Sequence, residues 1–241
     1  MKYLTLLLIT FLLFNPKLIR AQNNGAEIAK VATGIMAIGA TIAAIEDMKE
    51  RTELTATQWL LANHPEIDSF SLKTLDFNGK KIRDMSNTSV ITFKIQEFTP
   101  KDEASLDGKK QILFAFTSYG WIGEQGIDFN KVSWYLVDSV EWMNMMIAYS
   151  KVSSVEKNES VIKEALTNGI VVNRGIKVKS KIIIPYFKLE GDMYLTVDYS
   201  TEMKIVYNEN SLGIFLKKTG DLVQMRRGSV IDIHEFFFNK N

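Results

Sequence analysis

The chain has 241 residues, of which 46% are hydrophobic and 24% are charged, with a formal net charge of +1 and no cysteine. This composition is that of a globular protein with a substantial core, and it excludes a disulfide framework, thiolate catalysis and cysteine-ligated zinc. A near-neutral chain also lacks the electrostatic footprint of a general nucleic-acid binder, so we expect no nucleic-acid partner.

Residues 1–21 have the layout of a secretory signal peptide. Lys2 precedes an apolar run from Tyr3 to Phe14, and the chain then turns polar. Ala21 supplies the small residue that a signal peptidase requires, so we expect cleavage before Gln22. Cleavage removes three basic residues and no acidic ones, which changes the formal net charge from +1 to −2.

The predicted mature domain spans residues 22–241, with one candidate subdivision near residues 151–160, where the polar stretch SKVSSVEKNES lies. A chain without cysteine has no site for lipoprotein acylation. An exported protein of this size without disulfides fits a bacterial periplasm, or release from a bacterial cell, better than a eukaryotic secretory pathway. We therefore predict a periplasmic protein, free or associated with the outer membrane.

The segment KVATGIMAIGATIAAIEDMKE carries no charge between Lys30 and Glu46. A helix over this stretch is roughly 22 Å long, which is shorter than the roughly 30 Å hydrocarbon core, so no membrane span is expected in the mature chain. Its small residues allow another backbone to approach closely. We favour packing within the domain over insertion into a partner; the candidate partner-binding residues are Gly34, Ile35, Ile38, Gly39 and Ile42.

The first predicted elements are helical. Apolar residues recur every three or four positions from Ala26 to Asn63, which predicts a helical segment. Thr52 or Thr55 offers a hydroxyl cap for a second helix, and His64-Pro65 should end it.

Alternating residues then predict an antiparallel β-meander with one solvated face. It includes a hairpin at Asn78-Gly79, a strand from Ser89 to Phe98 and a further strand over QILFAFTSYGW. Helical spacing from Asp128 to Tyr149 predicts a central helix, and the helix SVIKEALTN should end in a left-handed cap at Gly169.

The last third of the chain is rich in predicted strands separated by EGD, NENS and KTGD turns. Pro185 indicates an edge strand or a bulge. The final SVIDIHEFFF is either a helix capped by Ser229 or a strand. The predicted fold class is α+β: N-terminal helices, an antiparallel β-meander, a central helix and a C-terminal antiparallel sheet.

No complete catalytic motif occurs in the sequence. The two histidines are far apart, and no HExxH, Gly-rich phosphate loop or GxSxG elbow is present. We expect His64 at a helix end and His234 at a surface or half-buried position. The prediction is a non-catalytic protein with no catalytic residue, no metal site and no cofactor.

Two alternatives stay open. One is a secreted hydrolase that uses paired carboxylates. The other is a carrier of an apolar ligand, which would show an enclosed cavity lined by Phe114, Trp121 and Trp134. The acidic residues available to a hydrolase include Asp102, Glu103, Glu124, Asp128, Asp138 and Glu141.

Two further stretches are candidate surfaces. Three consecutive phenylalanines cannot all face one way, so at least one of Phe236, Phe237 and Phe238 needs a partner surface. Alternating lysines should share one face of a strand and, if neighbouring strands pair, form a basic patch for acidic lipid, lipopolysaccharide or an acidic protein rim. Protection of an exposed sheet edge is the favoured alternative. The patch comprises Lys177, Lys179, Lys181, Lys217, Lys218, Arg226 and Arg227.

The export signal ending at Ala21-Gln22, the absence of cysteine, and the segments GIMAIGATIAAIEDMKERTELTATQWLL and NENSLGIFLKK together resemble envelope proteins of Bacteroidota. Among these, the chain is similar to the plug component of the type 9 secretion translocon. The resemblance implies a soluble periplasmic protein that closes the periplasmic mouth of a large outer-membrane barrel. It covers the mature chain through overall character and assigns no binding residue.

Overall fold

The computed structural model describes residues 42–75, 89–99, 106–123, 126–191 and 194–238. The signal peptide, the Asn78-Gly79 hairpin and most of the uncharged segment lie outside the described residues. Four candidate partner-binding residues, Gly34, Ile35, Ile38 and Gly39, lie there too, while Ile42 is the first residue of the first described helix.

The described elements belong to the α+β class, which confirms the predicted fold class. The helices are α1 (Ile42–Asn63), α2 (Ser139–Ser153), α3 (Glu159–Asn168) and α4 (Arg227–Phe238), with a short 3-10 turn at Phe129–Lys131. The strands are β1 (Phe70–Thr74), β2 (Ser89–Glu97), β3 (Lys110–Thr117), β4 (Ile122–Gly123), β5 (Gly126–Ile127), β6 (Val132–Val137), β7 (Ile170–Val172), β8 (Gly175–Val178), β9 (Lys181–Pro185), β10 (Leu195–Asp198), β11 (Met203–Asn208), β12 (Ser211–Leu216) and β13 (Asp221–Arg226).

All the described strand pairs are antiparallel. The first sheet has the order β1-β2-β3-β6 and the second the order β10-β11-β12-β13. A third sheet, β7-β8-β9, and a two-stranded ribbon, β4-β5, complete the described strands. Most neighbours in these sheets are consecutive in the chain, so short turns suffice to join them.

The first sheet is buried on both faces. In β2, Val90 faces a large core, whereas Ile91 and Phe93 face a smaller core beneath α1. In β3, Phe114 faces the large core and Leu113 the smaller one, because successive side chains of a strand point to opposite faces. The predicted solvated face is therefore wrong: α4 and β13, from the end of the chain, contact β3 and β2.

Helix α1 passes through both predicted restart positions without a break. The hydroxyl of Thr52 donates to the carbonyl of Lys49, and that of Thr55 donates to the carbonyl of Arg51, each at 2.9 Å. The threonines therefore bond to the preceding turn of the same helix instead of capping a new one. The helix ends at Asn63, before His64-Pro65, as predicted.

The predicted central helix is wrong over its first part, where the chain forms β6. Its sequence VSWYLV is rich in β-branched and aromatic residues and pairs along the full strand with β3. Helix α2 begins only after Asp138, whose carboxylate accepts the backbone N–H groups of Val140 and Glu141, each at 2.9 Å. This N-cap fixes the boundary between strand and helix.

Helix α3 ends before Gly169 as predicted, but not in a left-handed cap. Gly169 has a φ of −122°, and a Cβ at this position would lie 2.6 Å from the carbonyl oxygen of Lys177. Close approach of β8, not a left-handed backbone, is therefore the reason for glycine here.

The large core lies between the first sheet, the second sheet and the remaining helices. Helix α2 contacts β10 and β11, and α4 contacts β7 and β13. Met146 and Ile162, on either side of residues 151–160, belong to this same core. Of the two alternatives for the end of the chain, the helix is observed, and it begins at Arg227. Among the described helices, none has the length and apolar character needed to cross a bilayer.

Candidate functional site

The acidic residues that a hydrolase would need have structural partners where the structure describes them. Asp128 caps the 3-10 turn, Asp138 caps α2, and Glu141 accepts a hydrogen bond from the Tyr199 hydroxyl. The described residues contain no group of three or more histidine, aspartate or glutamate side chains that could hold a metal ion. Asp102, Glu103 and Glu124 lie outside the described residues.

His234 is buried, so the predicted surface or half-buried position is wrong. Only 2% of the residue is exposed, and its Nε2 lies 3.3 Å from the carbonyl oxygen of Leu166. Burial lowers the pKa of His234 from 6.5 to about 4. His64 follows the end of α1, and its Nδ1 lies 3.1 Å from Glu66 Oε1.

The three aromatic residues expected to line an apolar-ligand cavity do not come together. Phe114 belongs to the large core, where its ring lies 6.4 Å from that of Trp142. Trp121 belongs to the smaller core, and Trp134 packs against that core. The first sheet separates Phe114 from the two tryptophans.

The three phenylalanines near the end of α4 are partly buried against the large core. The Phe236 ring centre lies 5.4 Å from Lys94 Nζ and 5.3 Å from Lys110 Nζ, and Lys110 Nζ also donates to the Phe236 carbonyl at 2.8 Å. Phe238 lies 4.8 Å from the His234 ring. Within the chain these rings contact the first sheet and α4 itself, and their need for a partner surface stays a prediction.

The predicted basic patch is divided by the fold. Lys177 lies in β8, Lys179 in the following turn with a φ of 54°, and Lys181 at the start of β9, so the prediction of one strand is wrong. These strands form a sheet of their own and do not pair with β12 or β13. The three lysines therefore surround a hairpin and do not line one strand face.

Lys217 and Lys218 lie at the opposite end of the β12–β13 hairpin from Arg226. Arg226 pairs with Ser211, whereas Lys217 follows the last residue of β12. The six residues of β12 span about 20 Å. Lys217 Nζ lies 2.7 Å from Asp198 Oδ1, an interaction that lowers the pKa of Asp198.

Arg226 and Arg227, in contrast, line a cavity of about 910 Å³. Strand β13 ends at Arg226 and α4 begins at Arg227, so this junction forms one wall. The turn between β7 and β8 contributes Arg174, and the segment after β9 contributes Lys188. Among the described residues, Glu209, in the turn between β11 and β12, is the single acidic residue that lines it, so these four cations and one anion give a local charge of +3.

Arg227 differs from the other three cations because it is 93% buried, given its 7% exposure. Its guanidinium donates from Nη1 to the carbonyl of Asn173 and from Nη2 to the carbonyl of Asn208, the latter at 3.2 Å. Nη2 also lies 3.2 Å from the Tyr149 hydroxyl. The side chain thus connects α4 with the β7–β8 and β11–β12 turns.

Three tyrosines, which we call the tyrosine cluster, surround this guanidinium: Tyr149, Tyr186 and Tyr207. The Arg227 guanidinium carbon lies 5.5 Å from the Tyr186 ring centre and 5.8 Å from that of Tyr207, which is cation–π geometry. Burial raises the pKa of Tyr186 to about 12 and that of Tyr149 still further. These hydroxyls therefore stay neutral at ordinary pH and supply no negative charge to the arginine.

Arg227 consequently has no full counter-charge within the described residues. It forms no ion pair there, and its buried Nε has no hydrogen-bond partner. A buried charge is costly unless it is paired, and a guanidinium keeps its charge. Beside it, the first turn of α4 contains no acidic residue. The positive end of the helix dipole therefore adds to the charge of this wall.

A second cavity, of about 470 Å³, adjoins the first. Asn173, Arg174 and Ile182 line both, and Lys177 and Ser180 line only the smaller one. We call the two cavities together the basic groove.

Sequence reasoning found Lys177, Arg226 and Arg227 but missed Arg174, Lys188 and the tyrosine cluster. Arg174, Lys188 and Tyr186 come from turns or connecting segments, Tyr149 from α2 and Tyr207 from β11, and they meet only in the fold. For the burial of Arg227, the one local signal was the sequence RRG at the change from strand to helix. No family model, curated protein or solved structure matches this chain.

Proposed function

We propose that the protein is a non-catalytic exported protein of the periplasm that binds an envelope partner, and that it gates or plugs the periplasmic mouth of an outer-membrane protein-export channel. The signal peptide and the resemblance to the translocon plug support the export and gating parts of this proposal. The basic groove supports the binding part.

The observation that carries the proposal is the buried, unneutralised Arg227 in the wall of a cavity with a local charge of +3. The predicted mature chain has a net charge of −2, so this local positive charge is not a general property of the surface. A cleft lined by one sign of charge attracts groups of the opposite sign. An anionic group of a partner would supply the counter-charge that Arg227 lacks.

The test is a pull-down of the tagged mature protein from its native envelope in mild detergent, with the partner identified by mass spectrometry. A double variant, Arg174→Glu with Lys188→Glu, reverses two exposed charges at the cavity. The matched control reverses two exposed lysines elsewhere, Lys73→Glu with Lys163→Glu, and so changes the net charge equally.

We expect stoichiometric recovery of a large outer-membrane barrel with the wild type and with the control, and its loss with the cavity variant. A clean monomer with the wild type would contradict envelope binding. Equal recovery with all three proteins would show that the partner binds elsewhere.

A further inference from the structure

The basic groove has features of a site for a chain rather than for a small ion. Its larger cavity, about 910 Å³, lies at the upper end of the range for ligand pockets and far exceeds the volume of one water-sized anion. Its cations are spread from Lys177 in the smaller cavity through Arg174 to Arg226 in the larger one. A single small anion could not contact them all.

We propose that the basic groove holds an extended acidic segment of a partner protein, with one carboxylate entering the larger cavity beside Arg227 and the first turn of α4. This assignment rests on the proposed function and names the chemistry of the partner at that site. Carboxylates that alternate along an extended chain point to the same side every second residue, about 6.8 Å apart. An extended acidic segment therefore presents carboxylates at several points along its length, as cations from two adjoining cavities require.

The apolar walls of the groove also fit a polypeptide. Ile182 is 41% exposed, and Pro185 and Phe187 line the larger cavity beside the cations. A polypeptide segment carries apolar side chains between its charges and can cover these walls. Ile182 lines both cavities, so one apolar side chain of the segment would contact it where the two cavities join.

One wall of the larger cavity combines two donors of different origin. Arg227 supplies a buried guanidinium whose Nε has no partner among the described residues. Gly228, the next residue, also lines the larger cavity, and a Cβ added there would meet nothing within 4 Å. The Arg227 amide already donates to the Asn210 carbonyl at 3.3 Å. The following amides of the first turn have no acceptor within the helix, and such amides favour an anion.

This open space at Gly228 allows a sharp test. Gly228→Asp places a carboxylate of the chain's own beside Arg227, where it competes with the partner's carboxylate. Gly228→Asn places a neutral side chain of the same shape there. The probe is a fluorescein-labelled hexaglutamate peptide followed by fluorescence anisotropy, with hexaglutamine as the neutral peptide.

We expect wild type to bind hexaglutamate in a salt-sensitive manner and not to bind hexaglutamine. Gly228→Asp should weaken binding about tenfold more than Gly228→Asn does. Lys163→Gln, an exposed residue outside the groove, changes the net charge by the same amount as Gly228→Asp and should bind as wild type does. The thermal midpoints of all variants verify that each is folded.

Three outcomes would overturn the proposal. Equal binding of hexaglutamate by the Gly228→Asp and Gly228→Asn variants would show that no carboxylate of the partner lies at the first turn of α4. Binding of inorganic phosphate or of phosphatidylglycerol vesicles, without binding of hexaglutamate, would assign the groove to a phosphate group or to lipid. No binding of any probe would leave the groove without an anionic ligand.

Adding hexaglutamate to the envelope pull-down tests this inference separately from the proposed function. If the envelope partner is recovered but excess hexaglutamate does not displace it, the acidic-segment inference fails and envelope binding stands. If hexaglutamate binds as expected but no partner is recovered from the envelope, the proposed function fails and the groove chemistry stands.

Discussion

Gly213 of β12 lies directly opposite Val206 of β11, so close that a Cβ on Gly213 would be 2.8 Å from the Val206 Cβ. Both residues are buried. The second sheet therefore depends on the absence of a side chain at this position.

Gly213→Ala should lower the free energy of unfolding by about 1 to 3 kcal/mol, because the added methyl group overpacks a buried strand pair. Urea denaturation measures the change. The matched control is Gly228→Ala, which has open space around it and should leave stability unchanged or raise it by up to about 1 kcal/mol. Equal effects of the two substitutions would contradict the packing argument.

Stability should fall as the pH falls from about 7 to about 4, because His234 is neutral in the fold. Its folded pKa of about 4 lies below its ordinary value of 6.5. Between these values the unfolded chain binds a proton that the folded chain does not, so acid favours unfolding, by as much as about 3 kcal/mol in total.

The pH effect is isolated by comparing unfolding free energies of wild type and His234→Phe at pH 7 and pH 5. The variant should lose part of the decrease on acidification, while the exposed carboxylates contribute equally to both proteins. A His234→Phe protein with the wild-type pH dependence would contradict this prediction.

Arg227→Lys should destabilise the protein by about 1 to 3 kcal/mol, although it keeps the charge. One ammonium group cannot reproduce the fork that reaches the Asn173 and Asn208 carbonyls and the buried Tyr149 hydroxyl, so at least one of these acceptors loses its donor. Arg226→Lys, at the exposed neighbouring position, should stay within about 0.5 kcal/mol of wild type. Thermal denaturation of the two variants measures the difference. An equal loss of stability in both would contradict a special role for Arg227.

Asp138→Ala should cost about 1 kcal/mol, because the Val140 and Glu141 amides lose their acceptor at the start of α2. Asp138→Asn should retain most of the stability, since an amide oxygen also caps a helix. If both variants unfold at the same urea concentration, the cap does not set the stability of this boundary.

The sequence predicted best those elements whose local pattern and tertiary environment agree. The strand from Ser89 to Phe98 and the end of α1 at His64-Pro65 are examples, because alternation and a helix-breaking proline act locally. The predicted central helix failed over VSWYLV because its apolar spacing fits a helix, whereas pairing with β3 and contact with a core on each face favour a strand.

The candidate site was less predictable than the fold. Lys177, Arg226 and Arg227 were identified as cationic, but only contacts among distant turns distinguish the buried Arg227 from its exposed neighbour. His234 was misjudged for a similar reason: its burial depends on α3, whose Leu166 carbonyl faces it from 68 positions earlier. Neither relationship leaves a periodic mark in the sequence.

The separation of the two cores by one sheet divides the protein's four tryptophans unequally. Trp121 lies in the smaller core with Trp59 and Trp134 packed against it, and Trp142 lies in the large core. Intrinsic fluorescence of the wild type therefore reports mainly on the region around α1, while a protein that retains only Trp142 would report on the remainder. Comparing the two fluorescence signals during unfolding would show whether the regions around the smaller and the large core unfold together or in succession.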